Sequence, residues 1–186
     1  SSAAPPAARR SSTPHPSPER RRQPRESRLL SLPGQVALHD VPEPELRHSD
    51  EIKIRVCFVG VCDDDISLYK GDHLSWPLPK SIVGHEFSGI IEGLGESAYH
   101  AGFRVGDAVS GSAWLFCGTC RNCRSGLEAH CSNVTCTSVL AESIVLNMRQ
   151  VHKLCPDIPL EHGIFTDPIG SSITSSKTAA SPSTRT

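Results

Sequence analysis

The stretch LFCGTCRNCRSGLEAHC places Cys117, Cys120, Cys123 and Cys131 in a C-x-x-C-x-x-C-x7-C ladder. Four thiolates this close in sequence can surround one tetrahedral zinc ion at about 2.3 Å. Disulfides are the alternative, but a Cys117–Cys120 bridge would constrain almost nothing, and the chain shows no secretory context that favours oxidation. A site made of four sulfurs has no open coordination position, so it builds a lobe and performs no chemistry. The chain around that lobe reads as short strands with little helix.

The remaining pattern agrees. Glu51 to Val59 alternates apolar and polar residues, as a half-buried strand does. Asp64 to Lys70 has the length of a short helix closed by Gly71. Phe87–Leu94, Asp107–Trp114, Val139–Leu146 and Val151–Leu154 read as further strands, with Gly102, Gly106 and Gly111 between and beyond them. Short strands at close spacing with little helix predict a mainly β fold, a small barrel or sandwich. Only 37% of the 186 residues are hydrophobic and 5% aromatic, so a core is possible only if the ends stay out of it. Residues 1–30, rich in Pro, Ser and Arg, are expected to be a disordered basic tail. The folded domain is expected over 31–170, and a second disordered tail over 171–186.

The net charge of −1 conceals an asymmetry. Residues 1–29 hold seven Arg against two acids, whereas residues 30–170 hold ten Lys or Arg against eighteen acids. The acidic body weighs against nucleic acid as a partner. No apolar run approaches the roughly 20 residues that span a bilayer, so no membrane partner is expected. A cytoplasmic location follows, or an organellar one if the Arg- and Ser-rich head is a transit segment, although its prolines oppose an amphipathic helix.

A second set of metal donors lies outside the ladder. Cys62 follows the first long strand in Val-Gly-Val-Cys-Asp-Asp-Asp, and His85-Glu86 stands in Val-Gly-His-Glu-Phe-Ser-Gly. Zinc accepts sulfur, imidazole and carboxylate together, and a catalytic site leaves one position open. Cys62, Gly84-His85-Glu86, the cysteine ladder, Gly89, Gly95 and Gly106-Asp107-Ala108-Val109, in this order, resemble the zinc-dependent alcohol dehydrogenases of the medium-chain family. Pro33-Gly-Gln-Val-Ala-Leu-His-Asp-Val-Pro-Glu-Pro resembles the family's first strands.

That resemblance, covering roughly residues 33 to 175, implies a GroES-like, partly open β-barrel with short helices and a structural zinc lobe. It implies that Cys62 and His85 bind a catalytic zinc, with Glu86 a direct ligand or a group behind one. It puts Asp65 where the family Asp orients the ligand histidine. Asp167 falls where the sorbitol and threonine dehydrogenase branch carries an acid before Pro. It becomes the remaining carboxylate at the metal and favours a polyol or amino-alcohol substrate. The implied inventory is two zinc ions per chain, a small alcohol or polyol substrate, and NAD(P) in the complete family enzyme only; in this truncated form a monomer is expected.

The chain departs from the family in three places. Asp63 and Asp64 stand where a small residue and a hydroxyl normally relay the substrate proton; Asp64 can serve as the base instead, or both can cap the following helix. Ser67 replaces a relay histidine. Only nine residues separate Cys131 from Ala141, and the family's Ala-Glu-Tyr reads Ala141-Glu142-Ser143, a shortening expected to strain or unpair a strand. Cys136 and Cys155 receive a structural role only. Finally, no Rossmann unit is readable, and Gly93-Leu-Gly95-Glu-Ser-Ala98, although it fits G-x-G-x-x-A, is read as a turn because no βαβ length follows. Two functions are therefore expected: a zinc-dependent dehydrogenase domain, inactive as this chain alone, or a non-catalytic zinc-binding fragment.

Overall fold

The computed structural model describes residues 26–32, 34–72 and 84–180. The basic head up to residue 25 therefore lies outside the described residues, and its assignment as a tail or transit segment with it. A hairpin comes first: β1 (Glu26–Leu32) pairs antiparallel with β2 (Gln35–Asp40). Strand β1 thus reaches back into the stretch read as a tail.

The body is a five-stranded antiparallel sheet in the order β8 (Ser143–Asn147), β3 (Glu51–Gly60), β4 (Glu86–Leu94), β5 (Ala108–Gly111) and β9 (Val151–Lys153). Alternation in β3 sends Ile52 and Ile54 inward, opposite Leu146 and Ile144 of β8. Phe87 and Ile91 from β4, Val109 from β5 and Val151 from β9 complete the core. Each such side chain contributes about 1.5–3 kcal/mol when fully buried. The β3–β4 register slips between Lys53 and Ile54 and again between Val56 and Phe58. Bulges of this kind sharpen the twist and curl a sheet into an open barrel. The GroES-like barrel expected from the sequence is the fold observed.

Short elements fill the connections: α1 (Asp63–Lys70), α2 (Glu96–His100), the pair β6 (Trp114–Leu115) and β7 (Thr135–Cys136), and α3 (Arg121–Arg124). The Asp107–Trp114 segment is two strands, not one, because Ser112 and Ala113 turn the chain out of the main sheet toward β7. Gly95 heads the five-residue α2 and donates its N–H to the Glu51 carbonyl (2.9 Å), so the G-x-G-x-x-A match is a β-domain turn.

The shortened segment after Cys131 leaves no strand unpaired. β7 pairs with β6, β8 pairs with β3, and Val139 is fully buried. The Ser143 hydroxyl is buried with no hydrogen-bond partner among the described residues. From Thr166 the chain forms a helix, α4 (Thr166–Ala180), not the tail expected from residue 171. Pro168 is tolerated because it falls in the first turn, and Ile169 and Ile173 follow at helical spacing.

Candidate metal centres

The two predicted ligands of the open site stand at the adjacent ends of the central strand pair. Gly60 and Glu86 close the β3–β4 ladder. Cys62 is two residues past it on one strand, and His85 one residue before it on the other. Cys62 Sγ and His85 Nε2 lie 3.3 Å apart. A sulfur at about 2.3 Å and a nitrogen at about 2.0 Å from a tetrahedral zinc stand about 3.5 Å from each other. The pair therefore already has the spacing of two ligands on one ion, and a carboxylate oxygen of Asp65 lies within 4.8 Å of both donor atoms.

Local structure explains this placement. Cys62 is the N-cap of α1, and its sulfur accepts the Asp64 N–H at 3.3 Å. Asp65 is nearly buried, and its two oxygens accept the Cys62 N–H (3.0 Å) and the Gly84 N–H (2.7 Å). One carboxylate thus ties the backbone beside one ligand to the backbone beside the other. Asp65 thus holds the two loops together, beyond the role the resemblance implied for it. Asp63 and Asp64 are not the cap. Cys62 and Asp65 form the capping box, while Asp63 and Asp64 only occupy the first turn, where negative charge is favourable.

Gly84 has to be glycine. Its φ is 80°, and a Cβ there would lie 2.7 Å from Leu140 Cγ. Gly60 serves Glu86, whose carboxylate folds over the position a Gly60 Cβ would occupy. Burial pushes the Glu86 carboxyl above its ordinary value; His85 opposes this, and Asp167 and Asp65 reinforce it. The Cys62 thiol is likewise raised by burial and by the Asp64 and Asp65 carboxylates, against the Asp64 and Asp65 hydrogen bonds. One thiol, one imidazole and several carboxylates crowded together form a donor set suited to a divalent cation.

An open cleft of about 730 Å³ lies beside the pair, lined by Asp64, His85, Trp114, Phe116, His152 and Asp167 among others. Asp167, in the first turn of α4, thus shares a cleft with His85. Among the described residues, Ser67 lines neither this cleft nor the small cavity beside His85. That small cavity is walled by Asp65, Trp114 and Cys136 among others. Trp114, His152 and Cys136 carried no site signal in the sequence. Trp114 and Cys136 meet only through the two-residue β6–β7 ladder, which no periodicity could reveal.

The ladder cysteines converge separately, their four sulfurs all within 4.8 Å of one another. Cys117 Sγ and Cys123 Sγ are 3.9 Å apart, against about 3.8 Å for two sulfurs on a tetrahedral zinc. All eight cysteines are free thiols. Backbone N–H groups point at the sulfurs: Cys120 N to Cys117 Sγ at 3.3 Å, and Cys117 N and Asn133 N to Cys131 Sγ, each at 3.4 Å. Such donors hold the Cys117 thiol down to about 5 and Cys120 to about 7, while burial pushes Cys123 up to about 12.

A barrel with a sealed four-sulfur lobe and an open Cys–His pair defines the catalytic domain of a zinc-type dehydrogenase. Comparison with known proteins agrees: the profile of the alcohol dehydrogenase GroES-like domain matches residues 48–157, and the chain belongs to that family. It is 36% identical over 155 residues to L-threonine 3-dehydrogenase of Proteus mirabilis, covering 79% of this chain and 44% of that protein. The Salmonella gallinarum enzyme of the same name is 35% identical over the same shares. Among solved structures, galactitol-1-phosphate dehydrogenase from Escherichia coli superposes with a TM-score of 0.70 at 28% identity, covering 80% of this chain and 43% of that one. The chain thus spans under half the length of the relatives it matches. Among the described residues, no helix is long and apolar enough to cross a membrane.

Proposed function

We propose that this chain carries the metal-binding half of a dehydrogenase active site that acts on a small polyol or amino alcohol, with NAD(P) as the hydride acceptor in the complete enzyme. The observation that carries the reading is the 3.3 Å Cys62–His85 pair, whose His85 lines an open cleft. A zinc ion held by these two side chains supplies a Lewis acid that makes a hydroxyl proton easier to remove. Cys62 and His85 hold that ion. Asp65 keeps their two loops at a constant separation. Asp64 faces the cleft and accepts the hydroxyl proton in place of the family's usual relay. Asp167, which lines the cleft with His85, and Glu86, next to His85 in the chain, would add negative charge near a bound ion. In the complete enzyme a bound nicotinamide would supply the hydride acceptor. Two acids lining the cleft suit a substrate with a protonated amine, and the names of the threonine dehydrogenase relatives favour the same class.

Cobalt substitution tests this reading. Loading both centres with Co(II) and adding a small amino alcohol should perturb the visible bands of the Cys62–His85 centre and leave those of the four-sulfur centre alone. No perturbation at millimolar ligand contradicts it.

A second reading, a zinc-binding domain without catalysis, is favoured by the altered relay position, where Asp63 and Asp64 follow Cys62. It predicts that the purified chain does not quench or enhance NADH fluorescence in a saturable way. Saturable binding would exclude it.

A further inference from the structure

The apolar core contains two fully buried hydroxyls that neither the metal nor the cleft accounts for. Ser88 on β4 and Ser110 on β5 face each other across the ladder, with exposures of 0% and 1%. Both reach the same segment, the 3-10 turn Leu160–Phe165 that leads into α4. Ser88 donates to the Leu160 carbonyl at 2.6 Å. Ser110 Oγ lies 2.7 Å from the Gly163 carbonyl and 2.8 Å from that of Phe87. Thr166, the first residue of α4, donates back to the same Gly163 carbonyl at 2.8 Å. The turn is pressed against the sheet so closely that a Cβ on Gly163 would stand 2.7 Å from Ser88 Cβ and 2.8 Å from Leu154 Cδ1.

Hydroxyls contribute little to a core by burial alone, and a neutral hydrogen bond adds only about 0.5–1.5 kcal/mol net. Direction is what they supply. They fix the height and rotation of a turn whose next residues are Thr166 and Asp167. Beyond that turn, α4 exposes Ile169 (56%) and Ile173 (49%), while Thr166, Asp167 and Pro168 of its first turn are half-buried. Asp167 shares the cleft with His85, and its charge is felt by both Glu86 and Cys136.

We propose that Ser88 and Ser110 are a latch that positions Asp167 at the open metal centre, so that the affinity of that centre depends on two hydroxyls that touch neither metal nor substrate. The inference rests on the reading of Asp167 as a carboxylate of that centre. Groups behind a metal site typically change affinity 10–100-fold when removed.

The test is Co(II) affinity at the Cys62–His85 centre of the full chain, read from thiolate charge-transfer absorbance, with the four-sulfur centre as internal control. Asp167→Asn and Ser110→Ala should each weaken the open centre about tenfold or more. The four-sulfur centre should bind as before, which a general loss of stability would not allow. The double variant should be no weaker than Asp167→Asn alone, because the serine acts through the aspartate. Wild-type affinity in Ser110→Ala beside a weakened Asp167→Asn overturns the latch and leaves Asp167 in its role. Fully additive losses overturn it as well. An unaffected Asp167→Asn overturns the reading of Asp167 and the latch with it. Should Ser110→Ala not fold, Ser88→Ala, which keeps the Gly163 tether, must show the same selective weakening; unchanged affinity there refutes the proposal.

Discussion

Zinc removal should unfold the cysteine lobe while the barrel stays folded. Between Leu115 and Ser138, Cys123 is the only buried residue, so the lobe has no apolar core. Its helices are four and three residues long, far below the roughly 12–15 that hold together unaided. Five of its amide bonds report its integrity: Arg124 N to Cys120 O, Ser125 N to Arg121 O, Leu127 N to Asn122 O, His130 N to Leu127 O, and Cys131 N to Glu128 O. A crosslink closing a loop of about 15 residues contributes about 3 kcal/mol by loop entropy. That corresponds to about 100-fold in the protection of those amides against exchange. Hydrogen exchange read by mass spectrometry, on the zinc-loaded chain and after chelation, should show that loss over 117–136. Amides of β3, β4 and β8 should change by less than about threefold, since their core is separate. Cys123→Ser should reproduce the chelated pattern with zinc present. Protection of the lobe that survives both treatments would refute the argument that metal, not packing, builds it.

Gly60→Ala should push the Glu86 carboxylate off its seat and, if Glu86 serves the open centre, weaken metal binding there by roughly tenfold without lowering metal content at the four-sulfur centre, as equilibrium dialysis would show. Ser143→Ala removes a buried hydroxyl that has no partner and should stabilise the fold by about 1 kcal/mol, seen as a raised urea midpoint at unchanged m-value. Burial, with Asp167 and Asp65, pushes the Cys136 thiol from 9.0 up to about 12. A raised value favours the protonated native form, so its contribution is complete below pH 9 and is lost as pH rises toward 12. Cys136→Ala should therefore lose less stability than wild type between pH 8.5 and about 10.5, as measured by urea unfolding.

Much of this was legible because the chemistry is local. The ladder Cys117–Cys131 encloses its own site, and β3 declares itself by alternation through Ile52 and Ile54. Cys62 and His85 were legible as donors, but the sequence leaves twenty-two residues between them; the β3–β4 pairing supplies their proximity. What was not legible depends on tertiary placement. That Asp65 accepts the Cys62 and Gly84 amides follows from two loops meeting, which no local pattern announces. The helix from Thr166 carries little apolar period and so read as a tail; its start is seated by Ser88 and Ser110, two serines that no local pattern distinguishes. Trp114 and Cys136 reach the site only because the lobe folds back on itself.

The account stands on two separate metal centres in one small domain. Elemental analysis of the natively purified chain, beside Cys62→Ser and Cys120→Ser, measures this directly. About two zinc ions per chain are expected for wild type and about one for each variant. A wild-type chain with a single zinc that Cys62→Ser leaves in place would contradict the open centre.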